Sequence, residues 1–275
     1  MTYSELKIPG EPKLLVKKVM ESNDSCLIVP SYYRDKNPEI SDIGMDRKFV
    51  GLFSSGTTGK PKCIWNSYKN LLDNAFYTSS AFEIGPDDKL LMLVSPWHVA
   101  GLSWALMAEQ FGNEYKFIAT KKGDKEHWQE AIQQFKPDVL LTVPAVLRSL
   151  MEFEWKVPKI IYGGTPVEPQ ELKLISNRSE ELFQGYGQTE AGGLISSHKF
   201  NSLPDVISDE HRCCGQPIKG VEILCEGTKD KPVPILVRSE TAYTNEYYKT
   251  GDLGYRDDEG NLYINSRMNE PVKDK

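Results

Sequence analysis

The chain has 275 residues with 33 Lys and Arg against 39 Asp and Glu, a net charge of −6, and is 39% hydrophobic and 26% charged. That balance supports a sizeable folded core, and the absence of a long basic run argues against nucleic acid or an anionic membrane as partner. No stretch approaches the ~18 apolar residues of a membrane span, and the opening MTYSELKIPGEPK has neither a signal-peptide core nor, with Glu5 and Glu11, a transit-peptide composition, so a cytoplasmic location is expected.

From residue 48 onward, short apolar runs alternate with helical patterns. Strands are expected at Phe49–Phe53, Lys89–Val94, Tyr115–Ala119, Asp138–Val143 and Lys159–Tyr162, with a last short one at Leu182–Gln184. Helices are expected through Leu71, Leu72, Ala75, Phe76 and Phe82, then at Leu102–Phe111, Lys125–Phe135 (stopped by Pro137), Ala145–Glu152 and Glu168–Ser176. This alternation predicts an α/β fold with a mostly parallel, twisted sheet. After about Ile195 helical periodicity fades, and Val221–Cys225, Val233–Arg238 and Asn261–Asn265 read as strands. Residues 1–195 are therefore expected to form an α/β part and 196–267 a smaller β-rich subdomain packed on it.

The strongest local signal is Ser54-Ser55-Gly56-Thr57-Thr58-Gly59-Lys60-Pro61-Lys62. It is expected to follow a strand and precede a helix, where backbone N–H groups and a helix dipole receive phosphate. Gly56 and Gly59 allow a ligand close to the backbone, Ser54, Ser55, Thr57 and Thr58 supply hydroxyls, and Lys60 and Lys62 supply charge. The spacing is not that of a Walker A loop, which disfavours a P-loop kinase or NTPase; a merely solvated Gly/Ser/Thr loop is the bland alternative. The five cysteines, Cys26, Cys63, Cys213, Cys214 and Cys225, contain no C-x-x-C pair and are expected to be reduced thiols, and His211-x-Cys213 has no matching second half of a metal site.

SSGTTGKPK resembles the signature loop of the adenylate-forming superfamily, and four further segments match that family's motifs in order. They are Tyr162-Gly163-Gly164-Thr165-Pro166, Gly185-Tyr186-Gly187-Gln188-Thr189-Glu190, Gly215-Gln216-Pro217 with Gly220 and Glu222, and Lys249-Thr250-Gly251-Asp252. The resemblance implies the large N-terminal domain of an enzyme that joins a carboxylate to the α-phosphate of ATP, with Mg²⁺ as cofactor and coenzyme A as co-substrate. It implies that residues 54–60, Gly163, Gly164, Thr165, Gly185, Gly187 and Gln188 surround the nucleotide and that the Tyr186 ring meets adenine. Thr189 then donates to the α-phosphate, Glu190 holds Mg²⁺, and Asp252 accepts from the ribose hydroxyls, with Arg267 reaching the ribose. Lys62 is expected to act with the catalytic set. His98, in Ser95-Pro96-Trp97-His98-Val99-Ala100-Gly101, lines the acyl pocket on this reading and is a satisfied histidine on the plainer one.

The departures lie at the end. Ser266 stands where the family has glycine before the hinge arginine, and Asn269 where it has the hinge aspartate. Residues 268–275 read as the start of the hinge, so the family's small C-terminal domain, with its adenylation lysine, is expected to be absent from these residues and ligase activity impaired. Compactness and the Pro96–Gly101 segment resemble the o-succinylbenzoate–CoA ligases of menaquinone synthesis; the alternatives are another aryl or fatty acid–CoA ligase, or a catalytically degenerate nucleotide-binding protein. Thr189, Glu190 and Asp252, which degeneration would erode, are all present. The expected partner is a small carboxylic acid, and the oligomeric state, a homodimer included, is open.

Overall fold

The structure, a computed structural model, describes residues 3–7, 11–30, 48–55, 61–120, 124–200, 209–242, 244 and 246–268. Gly56, Thr57, Thr58, Gly59, Lys60 and Asn269 therefore lie outside the described residues. Two sheets organise the described residues. The first contains β1 (Tyr3–Lys7), β2 (Ser25–Val29), β3 (Phe49–Ser55) and β4 (Pro61–Ser67) in that order. The first three strands run parallel, with α1 (Pro12–Glu21) linking β1 to β2, whereas β4 returns antiparallel to β3. This corrects one expectation: the signature loop joins two strands of a hairpin, with Ser55 opposite Pro61 and Phe53 opposite Cys63, and no helix follows it directly. Alternation explains the strand, because Cys63 and Trp65 bury on one face against Leu27, Phe49 and Phe53. The next helix, α2 (Tyr68–Ala81), starts only after Ser67, whose side chain caps it by accepting from the Asn70 N–H.

The second sheet has eleven strands in the order β12-β13-β14-β15-β11-β10-β9-β8-β7-β5-β6. Its parallel portion comprises β5 (Leu90–Val94), β6 (Tyr115–Ala119), β7 (Val139–Thr142), β8 (Val157–Gly163) and β9 (Ser179–Gln188). These are connected through α3 (Val99–Phe111), α4 (Lys125–Phe135), α5 (Pro144–Leu150) and α6 (Pro169–Ser176). β9 is ten residues long rather than a short strand, since it pairs with β8 on one side and β10 (Gly193–Lys199) on the other. From β10 the sheet is antiparallel through β11 (Cys213–Pro217), β15 (Leu262–Arg267), β14 (Tyr248–Arg256), β13 (Val233–Ser239) and β12 (Val221–Leu224). β10 spans residue 195, and its hydrogen bonds continue the parallel portion into the antiparallel one.

Side-chain alternation splits the core across the sheet. Met92 and Leu141 face α1, α2 and α3, together with Ile28, Val50 and Leu52 of the first sheet. Leu91, Leu93, Leu140 and Ile160 face α4, α5 and α6. Helix α3 is apolar nearly all round because α1, α2 and the second sheet pack around it, as its mostly buried sequence requires. All five cysteines are buried and free. Among the described residues, no helix is long and apolar enough to cross a membrane, and no group of three metal-ligating side chains clusters.

Candidate nucleotide site

In a parallel α/β sheet the ligand crevice lies beyond the carboxyl ends of the strands, where successive connections leave toward opposite faces. Here the connection after β5 runs through α3 on one face, and that after β7 runs through α5 on the other. The crevice therefore opens between the ends of β5 and β7. His98 stands there as the residue before α3, in extended conformation. Its side chain is exposed, yet the protein atoms banked around it hold the imidazole below its ordinary pKa. Gly163 to Thr165 leave the end of β8, and Gly185 to Gln188 form the end of β9. Gly163 sits opposite Gly185, and a Cβ on it would come within 2.5 Å of the Gly185 carbonyl oxygen, so only glycine lets the two strand ends approach this closely.

Asp252, on β14, is 7% exposed and collects three donors. The Tyr186 hydroxyl donates to Oδ2 at 2.7 Å, Gln188 Nε2 to the same oxygen at 3.0 Å, and Arg267 Nε to Oδ1 at 3.1 Å. Gln188 also donates to the Thr250 carbonyl at 3.0 Å, and the Thr250 hydroxyl accepts from the Asp252 N–H at 3.1 Å. Burial first, then the Asp252 carboxylate, raises the Tyr186 pKa well above its ordinary value, so the phenol stays a neutral donor. A carboxylate offers about four lone-pair positions. Three are taken, which leaves Asp252 room for one incoming hydroxyl unless Arg267, with its side chain 54% exposed, swings away.

The other side of the site is built across the two sheets. A short 3₁₀ turn, Thr189–Ala191, follows β9. The Ser54 hydroxyl of β3 donates to Glu190 Oε1 at 3.0 Å, and Asn66 Nδ2 of β4 donates to the Thr189 carbonyl at 3.3 Å. Lys62 is directly opposite Ser54 in the hairpin and two residues on either side of Ile64 from Asn66, so period-two alternation places all three on the face toward Glu190. Lys62 is exposed there.

The turn itself is held from behind. Gly192 (φ +81°) and Gly193 (φ +141°) take conformations that side chains rarely adopt. Asn74 of α2, fully buried, accepts from the Leu194 N–H at 3.0 Å and donates to the Leu194 carbonyl at 3.1 Å and the Thr241 hydroxyl at 3.2 Å. Thr241 in turn donates to the Ala191 carbonyl at 3.2 Å.

The family profile described as AMP-binding enzyme matches residues 6–244. This chain belongs to that family. Among curated relatives, the 2-succinylbenzoate–CoA ligase of Enterococcus faecalis is 27% identical over 246 residues, covering 80% of this chain and 50% of the relative. The FadD13 long-chain-fatty-acid–CoA ligase of Mycobacterium tuberculosis is 26% identical over 262 residues, covering 86% of this chain and 50% of the relative. The chain thus spans about half the length of these relatives. The fold is similar to that of the O-succinylbenzoate coenzyme A synthetase (MenE) from Bacillus subtilis. Its structure with AMP gives a TM-score of 0.68 at 24% identity, covering 79% of this chain and 49% of that one. Its structure with ATP and magnesium ion gives 0.70 at 21% identity, covering 95% and 63%.

In this member of the family the structure brings together Ser54, Lys62, Thr189 and Glu190 on one side and Tyr186, Gln188, Asp252 and Arg267 on the other. Gly164 and Thr165 are exposed at the end of β8, and His98 stands at the separate mouth near β5. Sequence reasoning missed Asn66 and Asn74, and gave Thr250 no role beyond its place in the Lys249–Asp252 motif. Asn74 carried a signal, since a polar residue between Leu71 and Ala75 on the buried stripe of a helix needs buried partners. Asn66 carried none, since no strand is expected between the signature loop and the helix through Leu71.

Proposed function

We propose that this chain is the nucleotide-binding portion of an ATP-dependent carboxylic acid–CoA ligase, with o-succinylbenzoate as the acid. The observation that carries the reading is the shared placement of a three-donor Asp252 cluster and the Ser54–Glu190 pair around the end of β9. The names of the relatives support the substrate class. A carboxylate oxygen of the acid attacks the α-phosphorus, the bond to the bridging oxygen breaks, and pyrophosphate leaves with the electron pair; the coenzyme A thiolate then displaces AMP from the acyl carbon. The residues present suit such ligands. Among the described residues the Glu190 carboxylate is held by a hydroxyl, not a cation, so its charge is available to a hard divalent ion. Mg²⁺, when bound, neutralises triphosphate charge. Tyr186 offers a ring to adenine, Asp252 an acceptor to ribose, Thr189 a hydroxyl and Lys62 a positive charge to phosphate, and the chain orients the reactants for in-line attack. His98, on this reading, faces the acid.

The test is mass spectrometry of the purified 275-residue chain with ATP, Mg²⁺, coenzyme A and a panel of carboxylic acids. Slow formation of o-succinylbenzoyl-adenylate and almost no thioester is the expected result for these residues alone, since a transition-state donor supplied from elsewhere is worth ~10²–10³ in rate. Another acid preferred over o-succinylbenzoate would reassign the substrate. No adenylate with any acid, despite ATP binding, would favour the degenerate nucleotide-binding reading.

A further inference from the structure

Tyr248 opens β14 and sits opposite Val237 of β13. Its ring packs on the core of the antiparallel portion, as does that of Tyr186. Its hydroxyl is buried, and among the described residues it has no hydrogen-bond partner. A buried phenol left so is costly, and a native chain that keeps one invites the question of what completes it.

Two observations locate the hydroxyl. The charged groups acting on Tyr248 are the carboxylates of Glu190 and Asp252; burial foremost, then these two, raises its pKa and keeps it a neutral donor. The strand is also bulged at this point. Between the pairs Leu236 opposite Lys249 and Pro234 opposite Leu253, two steps of β13 match four of β14, with Gly251 at φ +81°. The partner strand covers this stretch in roughly 7 Å where a regular strand of four residues would take roughly 13 Å, and such bulges re-aim side chains beside active sites. The bulge therefore brings Asp252 closer along β14 to Tyr248 than a regular strand would, and the Glu190 carboxylate acts on the same phenol.

This step rests on the function proposed above, in which Asp252 takes the ribose and Glu190 the metal-bound phosphates. The part of a nucleotide that lies between its ribose and its outer phosphates is the α-phosphate. We propose that the Tyr248 hydroxyl is a binding donor for the α-phosphate of the nucleotide. The phenol gains its missing acceptor when the ligand arrives, and the acceptor is the group on which charge gathers as the acid attacks.

Tyr248→Phe removes the donor and keeps the ring. Calorimetric titrations of wild type and variant with adenosine, AMP and ATP–Mg²⁺, and melting curves of the free proteins, test the proposal. The variant should bind adenosine within about twofold of wild type and AMP and ATP about ten- to hundredfold more weakly, as expected for a lost bond to a charged acceptor. Unliganded, it should melt no lower than wild type, since no bond within the protein is removed. Equal affinities for AMP in the two proteins, equal losses for adenosine and AMP, or a lower melting temperature of the free variant would each overturn the assignment of Tyr248. A wild-type chain that binds neither AMP nor ATP would instead overturn the nucleotide reading on which it rests.

Discussion

Replacing Asp252 by asparagine keeps the volume of a side chain that is 7% exposed and removes its charge. In the free protein the carboxylate accepts from Tyr186, Gln188 and Arg267. An amide retains one oxygen, and its nitrogen must face donors on one side or the other. Bonds to a charged acceptor are worth about 1.5–3 kcal/mol and neutral ones about 0.5–1.5 kcal/mol. The buried pair from Tyr186 and Gln188 should therefore lose about 2 kcal/mol together, while the Arg267 contact, more than half exposed, adds at most about 1 kcal/mol. For a chain of this size each kcal/mol lowers the melting temperature by about 2–4 °C, so a drop of about 4–12 °C is expected. Binding should suffer separately. With one acceptor position left for the ribose, the variant should bind AMP about ten- to hundredfold more weakly. The decisive assay compares AMP with its 2′-deoxy and 3′-deoxy forms in both proteins. In wild type one of the two deletions should be costly, and in Asp252→Asn that penalty should shrink, as a cycle between contacting groups requires. Identical deoxy penalties in the two proteins would refute a contact between Asp252 and the ribose.

If Glu190 carries the metal, Glu190→Gln should reduce the Mg²⁺ dependence of ATP binding far more than it alters AMP binding, which titration with and without Mg²⁺ measures; equal effects on both nucleotides would remove the role. Asn74→Ala deletes the bonds to Leu194 and Thr241 at a fully buried position and should cost about 2–4 kcal/mol in urea unfolding, with the loss absent if the turn is held by its glycines alone. Desolvation by the protein around His98 and by burial at His198 holds both imidazoles below the ordinary histidine pKa, so the unfolded chain takes up protons that the folded chain resists. Stability should be fully present above about pH 6.5 and fall as pH drops below it, and His198→Gln should lessen the difference between urea melts at pH 7.5 and 5.5. An unchanged difference would assign the dependence to other groups.

Where local signals agreed, the chain was readable. Helix α4 runs from Lys125 to Phe135 as expected, because an apolar face of Trp128, Ala131 and Ile132 ends just ahead of Pro137. Strands β5 and β6 were equally plain, being short apolar runs between turns. Pro61–Ser67 failed because Cys63 and Trp65 alternate over too few residues to outweigh the helical pattern just beyond them, and because the pairing with β3 is tertiary. β9 was read too short because Gly185 and Gly187 break its apolar run, although a side chain at Gly187 would meet the Gly193 backbone and one at Gly185 the Phe82 and Leu194 side chains. Asp252 and Glu190 were visible through their motifs. Tyr248 was not, since nothing in its own neighbourhood reveals that its hydroxyl is buried without a partner or that the distant Glu190 carboxylate acts on it.

The bonds that draw the site together differ greatly in the length of chain they close. Ser54 meets Glu190 across 136 residues and Asn66 meets Thr189 across 123, while Tyr186 meets Asp252 across 66. Closing a long loop must be complete before its contacts repay the lost entropy. The Asp252 corner lies within one sheet, whereas the Glu190 corner needs both. A chain weakened by mutation or heat is therefore expected to loosen beside Glu190 first, so that in native-state hydrogen exchange the amides around Glu190 open at lower free energy than those of β14.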